Sequence, residues 1–178
     1  TPPKHGTRGE TISAAADELV GVIERGEKFN RQVLEQIVGR HLGGSVAEGT
    51  FEMKEATDIL ELAINRYMKN KGSLFSPSAN MSADQAVSVI NRIRHILAII
   101  PTATTRSAKQ DKMQQFSTPP HEAFMAAWVA NVTDKDVSLE PSAGIGGLAV
   151  FSNIAGADVI LNELDKDGRA KILEQLKI

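Results

Sequence analysis

The chain has 178 residues, 42% hydrophobic and 24% charged, with a formal net charge of −2. That composition belongs to an ordinary globular protein of one domain or two small ones, and it offers no global positive field to announce a nucleic-acid binder. The absence of cysteine excludes disulfides, thiolate zinc sites and cysteine nucleophiles.

No leader segment and no apolar run of about 18 residues is evident, so the expectation is a cytoplasmic protein without a membrane partner. The start at Thr1 rather than Met leads us to expect a processed or excised piece of something longer. The first hundred residues follow a helical pattern. Ile12, Ala15, Ala16, Leu19, Val22 and Ile23 recur at three- and four-residue steps, which predicts a helix over residues 11–25, closed by Gly26. Asn30 is placed to cap a second helix carrying Val33, Leu34, Ile37 and Val38, broken by Gly43 and Gly44. A third helix is expected over residues 51–69, with Ile59, Leu60, Leu62, Ala63 and Tyr67 on its apolar side. Residues 72–80 read as a turn-rich loop. A fourth helix follows, with Ser82 and Gln85 as a capping box, and it ends at Pro101.

This region carries no defensible chemistry of its own. His41 and His95 stand without partners at metal-ligand spacing and read as solvated or core-edge histidines. Arg92, Arg94, Arg106, Lys109 and Lys112 read as a solvated face and linker, with phosphate contact as the alternative. We divide the chain into an N-terminal helical region (1–101), a polar linker (102–113) and a second region (114–178).

The second region changes pattern. A helix over residues 120–131 leads to a strand over 136–140, a glycine-rich turn over 142–147 and a helix over 147–155. A second strand over 158–162 and a closing helix over 166–176 follow. Strand, glycine turn, helix and strand make a βαβ unit with a parallel pair. The expected fold class is therefore α/β, mostly helical: an N-terminal helical region plus a truncated Rossmann-like βαβ unit.

Gly144 and Gly146 permit a sharp turn and close ligand approach. Glu163 stands 23 positions after Glu140, where an acid can hold ribose hydroxyls. Gly144-Ile145-Gly146-Gly147-Leu148-Ala149 also satisfies the G-x-G-x-x-A dinucleotide pattern. Glu140-Pro141 separates the readings. A carboxylate at the strand end repels a pyrophosphate but suits a ligand bearing an ammonium and a sulfonium, such as S-adenosylmethionine.

At these residues the chain resembles the class I S-adenosylmethionine-dependent methyltransferases, in particular the N6-adenine DNA methyltransferases. The acid-Pro-x-x-Gly-x-Gly motif is matched by residues 140–146, and the acid after the second strand by Glu163 within residues 159–165. An upstream Thr-Pro motif is matched by residues 114–120, Gln-Gln-Phe-Ser-Thr-Pro-Pro. The resemblance covers about a third of the chain. It implies that Thr118, with backbone from Phe116 and Ser117, holds the methionine carboxylate. It further implies that Glu140 and the backbone of Ser142, Ala143 and Gly144 surround the amino end, with Gly146 shaping the turn. Glu163 would hold the ribose, and Leu164 would lie against the adenine. Without the resemblance, Thr118 and Pro119 read as an ordinary helix cap and first helical position.

The family's Asn/Asp-Pro-Pro-aromatic motif, which holds the target amino group, occurs nowhere in the chain. The expectation is thus the cofactor-binding part of a DNA adenine methyltransferase, unable to transfer a methyl group alone, with DNA as partner of the parent. The open edges of a two-stranded parallel sheet also suggest cover by the N-terminal helices or self-association. The alternatives are a fragment of an NAD-dependent oxidoreductase and a non-catalytic helical interaction module.

Overall fold

The computed structural model describes residues 6–78, 80–102 and 116–178. Most of the expected linker (102–113), with Arg106, Lys109 and Lys112, and Gln114 and Gln115 of the upstream motif, lie outside the described residues. The protein is predominantly helical with a small two-stranded parallel sheet.

The first helix, α1 (Arg8–Glu24), starts earlier than its apolar periodicity suggests because Thr7 and Glu10 form a reciprocal capping box. Asn30 caps α2 (Arg31–Leu42) through the Val33 amide, and Gly43, at φ 80°, ends it in the left-handed conformation. The third helix, α3 (Met53–Asn70), is the central strut. It packs on α1 and α2 with one side and on the C-terminal elements with another. Its buried residues therefore include polar ones, Asp58, Asn65 and Arg66, as well as Ile59, Leu62 and Ala63.

Residues 72–80 differ from the expected loop. Gly72–Phe75 forms one helical turn, α4, because Phe75 is fully buried and meets the Tyr67 ring edge-on at 5.9 Å. The capping box of Ser82 and Gln85 starts α5 (Ala83–Ile99) as expected. Arg92 on α5 donates to the Leu74 carbonyl at 2.7 Å and lies 6.0 Å from the centre of the Phe75 ring. Its guanidinium is thus committed to the loop, whereas Arg94 remains exposed.

In the second region, α6 (Pro120–Val129) begins at Pro120, with Pro119 in the cap position and no side-chain cap. The start agrees with the helix expected over residues 120–131, while the reading of Thr118 as cap and Pro119 as first helical residue lies one residue early. Strands β1 (Val137–Glu140) and β2 (Asp158–Leu161) pair in parallel with Leu139 opposite Ile160, and α7 (Ala149–Ile154) connects them. The expected closing helix is shorter. The Asp165 carbonyl accepts the Gly168 and Ala170 amides in a turn, so α8 spans only Arg169–Leu173 before a 3-10 turn at Glu174–Leu176.

One hydrophobic cluster runs from Ile12 on α1 to Leu176 near the C-terminus and takes in Phe124 and Phe151, whose rings meet edge-on at 5.7 Å. Hydrogen bonds from α3 join the two regions. Asn65 donates to the Ile145 carbonyl at 2.9 Å, Arg66 to the Gln175 carbonyl, and Lys69 to the Leu176 carbonyl at 3.1 Å. Among the described residues the sheet is covered on one face. Ser138 bonds Ser152 of α7 at 3.0 Å, while Val137, Leu139 and Ile160 on the opposite face are each more than half exposed.

Candidate functional site

The glycine turn follows β1 and is tied down by its own flanks. The Glu140 carboxylate accepts the Ser142 amide at 3.2 Å, and Glu163 accepts the Gly144 amide at 2.8 Å and the Asp165 amide at 2.9 Å. The Ala143 amide donates to the Asn162 carbonyl at 2.8 Å, and the Gly146 amide to the Ala143 carbonyl at 2.7 Å. Four backbone donors of the turn are therefore spent within the fold. A phosphate cradle works the other way, presenting free amides to the anion.

Gly144 (φ +56°) and Gly146 (φ +83°) occupy the left-handed region, as the motif requires. The space beside them, however, is filled by the protein. A methyl group on Gly146 would meet Leu176 at 2.6 Å and Leu173 at 3.1 Å, and one on Gly144 would lie 3.3 Å from the Arg169 guanidinium. The close approach at this turn is that of the C-terminal segment rather than of a ligand.

A small cleft remains on the other side. Phe116, Ser117, Thr118, Glu140, Ser142, Ala143 and Gly144 all line it, which brings most of the sequence-derived positions together. Glu163 sits behind the turn as its anchor, Gly146 lies under the C-terminal leucines, and Leu164 is 76% exposed beside the second strand. None of those three borders the cleft. The cap position of α6 falls to Pro119 and not to Thr118. The cleft encloses about 40 Å³, whereas a drug-sized ligand occupies pockets of about 300–1,000 Å³.

Sequence reasoning missed two members of the site. Glu61 of α3 lines the cleft and accepts from the Ser117 hydroxyl at 2.7 Å. Arg169 of α8 donates to the same Ser117 oxygen at 2.6 Å and stands 3.7 Å from Glu61 and 3.6 Å from Asp58. Asp58 is also bonded by Lys54. Burial pushes the carboxyls of Asp58 and Glu61 up from their ordinary range, and the neighbouring cations Lys54 and Arg169 only partly oppose it. A signal was present in the sequence: Lys54, Asp58, Glu61 and Asn65 recur at helical steps and form a polar stripe on α3. Nothing in the sequence said that this stripe faces inward.

His41 pairs with Glu18 at 2.7 Å, His95 is exposed, and no metal-ligating cluster occurs among the described residues. No described helix is long and apolar enough to cross a membrane. Comparison with known protein families, with curated proteins and with solved structures finds no match to this chain.

Proposed function

We propose that the C-terminal region is the S-adenosylmethionine-binding part of a Rossmann-like methyltransferase of the DNA adenine-N6 type. In this reading DNA is the partner of the longer protein, and the open sheet face is a site of self-association. The supporting observation is the convergence of Phe116, Ser117, Thr118, Glu140 and the turn 142–144 on one cleft bordered by carboxylates. Those groups match the methionine end of the ligand in kind: acids for its ammonium, and the Thr118 hydroxyl for its carboxylate. The adenosine end has less to hold it, since both Glu163 oxygens already accept backbone amides and Leu164 is exposed. Bound S-adenosylmethionine would supply a methyl group activated by its sulfonium. The chain's own contribution is to bind and orient. With no Asn/Asp-Pro-Pro-aromatic motif among its residues, we expect this polypeptide alone to transfer no label from the cofactor to DNA.

Calorimetric titration with S-adenosylmethionine, and separately with a nicotinamide dinucleotide, tests the proposal. Saturable binding of the first, weakened in Glu140→Gln, supports it; binding of the dinucleotide instead would replace it with an oxidoreductase. Glu163→Ala is a poor probe, because it removes the acceptor that holds the turn itself. Trp128 lies eight residues into α6, about 12 Å along the helix from its start, so calorimetry is the primary readout.

A second reading has a specific observation in its favour. The leucines packed on Gly146 and the small volume of the cleft suit a βαβ unit that serves only as scaffold for a helical interaction module. Failure of both ligands to bind would favour it.

A further inference from the structure

We propose that Glu61, supplied by the N-terminal helical region, is a ligand-contacting acid that makes the cleft select a ligand bearing an ammonium group. The inference rests on the methyl-donor reading and names the residue that recognises the amino end of that ligand.

Glu61 lines the cleft from α3, on the side facing Gly147. One carboxylate oxygen is held by the Ser117 hydroxyl and lies near Arg169. The other sits 3.5 Å from where a methyl group on Gly147 would stand, and it takes no hydrogen bond from any described residue. The acid is aimed by a relay, in which Arg169 donates to Ser117 and Ser117 donates to Glu61. A fixed carboxylate meets a cation without reorganising, which strengthens a charge-assisted hydrogen bond.

The surrounding charge has the right sign. The cleft is bordered by the carboxylates of Glu61 and Glu140, with the Arg169 guanidinium 3.7 Å from Glu61 as the nearby cation. That surplus of negative charge repels a pyrophosphate and attracts an ammonium. Burial raises the Glu61 carboxyl, so its charged form lacks solvation that an incoming cation can replace. The amino group is the matching cation because Thr118 and the turn 142–144, assigned above to the methionine end, border the same cleft.

The test compares S-adenosylhomocysteine with its des-amino analogue by calorimetry, on the wild type, Glu61→Gln and Ser117→Ala. The pair differs only in the ammonium, and neither member carries the sulfonium. We expect the wild type to prefer the amino compound by about tenfold or more. Glu61→Gln should cut the preference about tenfold, leaving only what Glu140 contributes, while still binding the des-amino compound as the wild type does. Ser117→Ala, which keeps the acid but loses its aim, should reduce the preference about threefold. A preference undiminished in Glu61→Gln overturns the inference and leaves the methyl-donor reading standing. Equal weakening of both compounds in Glu61→Gln also overturns it, since that is the effect of a scaffold residue. If the wild type binds neither compound nor S-adenosylmethionine, the methyl-donor reading falls and this inference with it.

Discussion

Replacing Gly146 with alanine separates two costs that the turn combines. At φ +83° any residue with a Cβ pays about 1–2 kcal/mol for the left-handed conformation. The new methyl group would also lie 2.6 Å from Leu176 and 3.1 Å from Leu173. Both leucines are buried, at 2% and 8% exposure, so they cannot simply swing into solvent. Overpacking of this kind costs about 1–3 kcal/mol. Gly26 provides the control: its φ is +68°, but a methyl group there meets nothing within 4 Å. Gly26→Ala should therefore lose only the backbone term, about 1 kcal/mol. The gap between the two variants is the packing term, about 1–3 kcal/mol, or roughly 3–10 °C in Tm for a chain of this length. Urea unfolding followed by circular dichroism measures it, with the slope m expected to stay constant. Equal destabilisation of the two variants would refute the reasoning: the C-terminal leucines would not rest on the turn, and that face would be open to a ligand.

Three further outcomes follow from the packing. Arg66→Met removes donors to the Ser13 and Gln175 carbonyls and to Asp17; it should cost about 2–4 kcal/mol, with faster amide exchange over residues 169–176. Unchanged exchange there would mean that Arg66 does not anchor the C-terminal segment. Burial, only partly offset by Lys54 and Arg169, raises the Asp58 carboxyl, so the folded state releases this proton at a higher pH than the unfolded chain does. That contribution is fully present below the ordinary carboxyl range of about pH 4 and is lost as pH rises through the folded value. At Glu18 burial pushes the carboxyl upward, but hydrogen bonds from His41 and Arg40 outweigh it and hold the group low. Its contribution therefore has the opposite sign, present above the ordinary range and lost as pH falls. Urea midpoints between pH 4 and 7 should decline less steeply in Asp58→Asn than in the wild type, and an identical slope would contradict the assignment. Finally, Leu139→Lys on the uncovered sheet face should change stability by no more than about 0.5 kcal/mol, yet suppress concentration-dependent association in sedimentation. A wild type that stays monomeric throughout would dispose of self-association through that face.

The helices were legible in the sequence because amphipathic periodicity and caps are local. The capping boxes of Thr7–Glu10 and Ser82–Gln85, the Asn30 cap and the Gly43 stop all lie within a few residues of the ends they define. The strand–turn–helix–strand order was legible for the same reason, since Gly144 and Gly146 mark a backbone that other residues rarely adopt. Element ends were less clear where burial decided them. Phe75 draws Gly72–Phe75 into a helical turn against Tyr67, and the Asp165 turn shortens α8.

What the sequence determined by itself, then, is the longer helices, the parallel pair and a turn flanked by two acids. Each depends on neighbours within about one helical turn or one strand. Only the tertiary structure decided what those groups do. It set Glu163 on the turn's amides, filled the space beside Gly146 with Leu173 and Leu176, and carried Glu61 from α3 to the cleft beside Ser117. Glu61 and Ser117 are 56 residues apart, and Asn65 and Ile145 are 80 apart. No local periodicity encodes contacts at such separations, because they arise when apolar faces of several elements share one core and carry their polar neighbours with them.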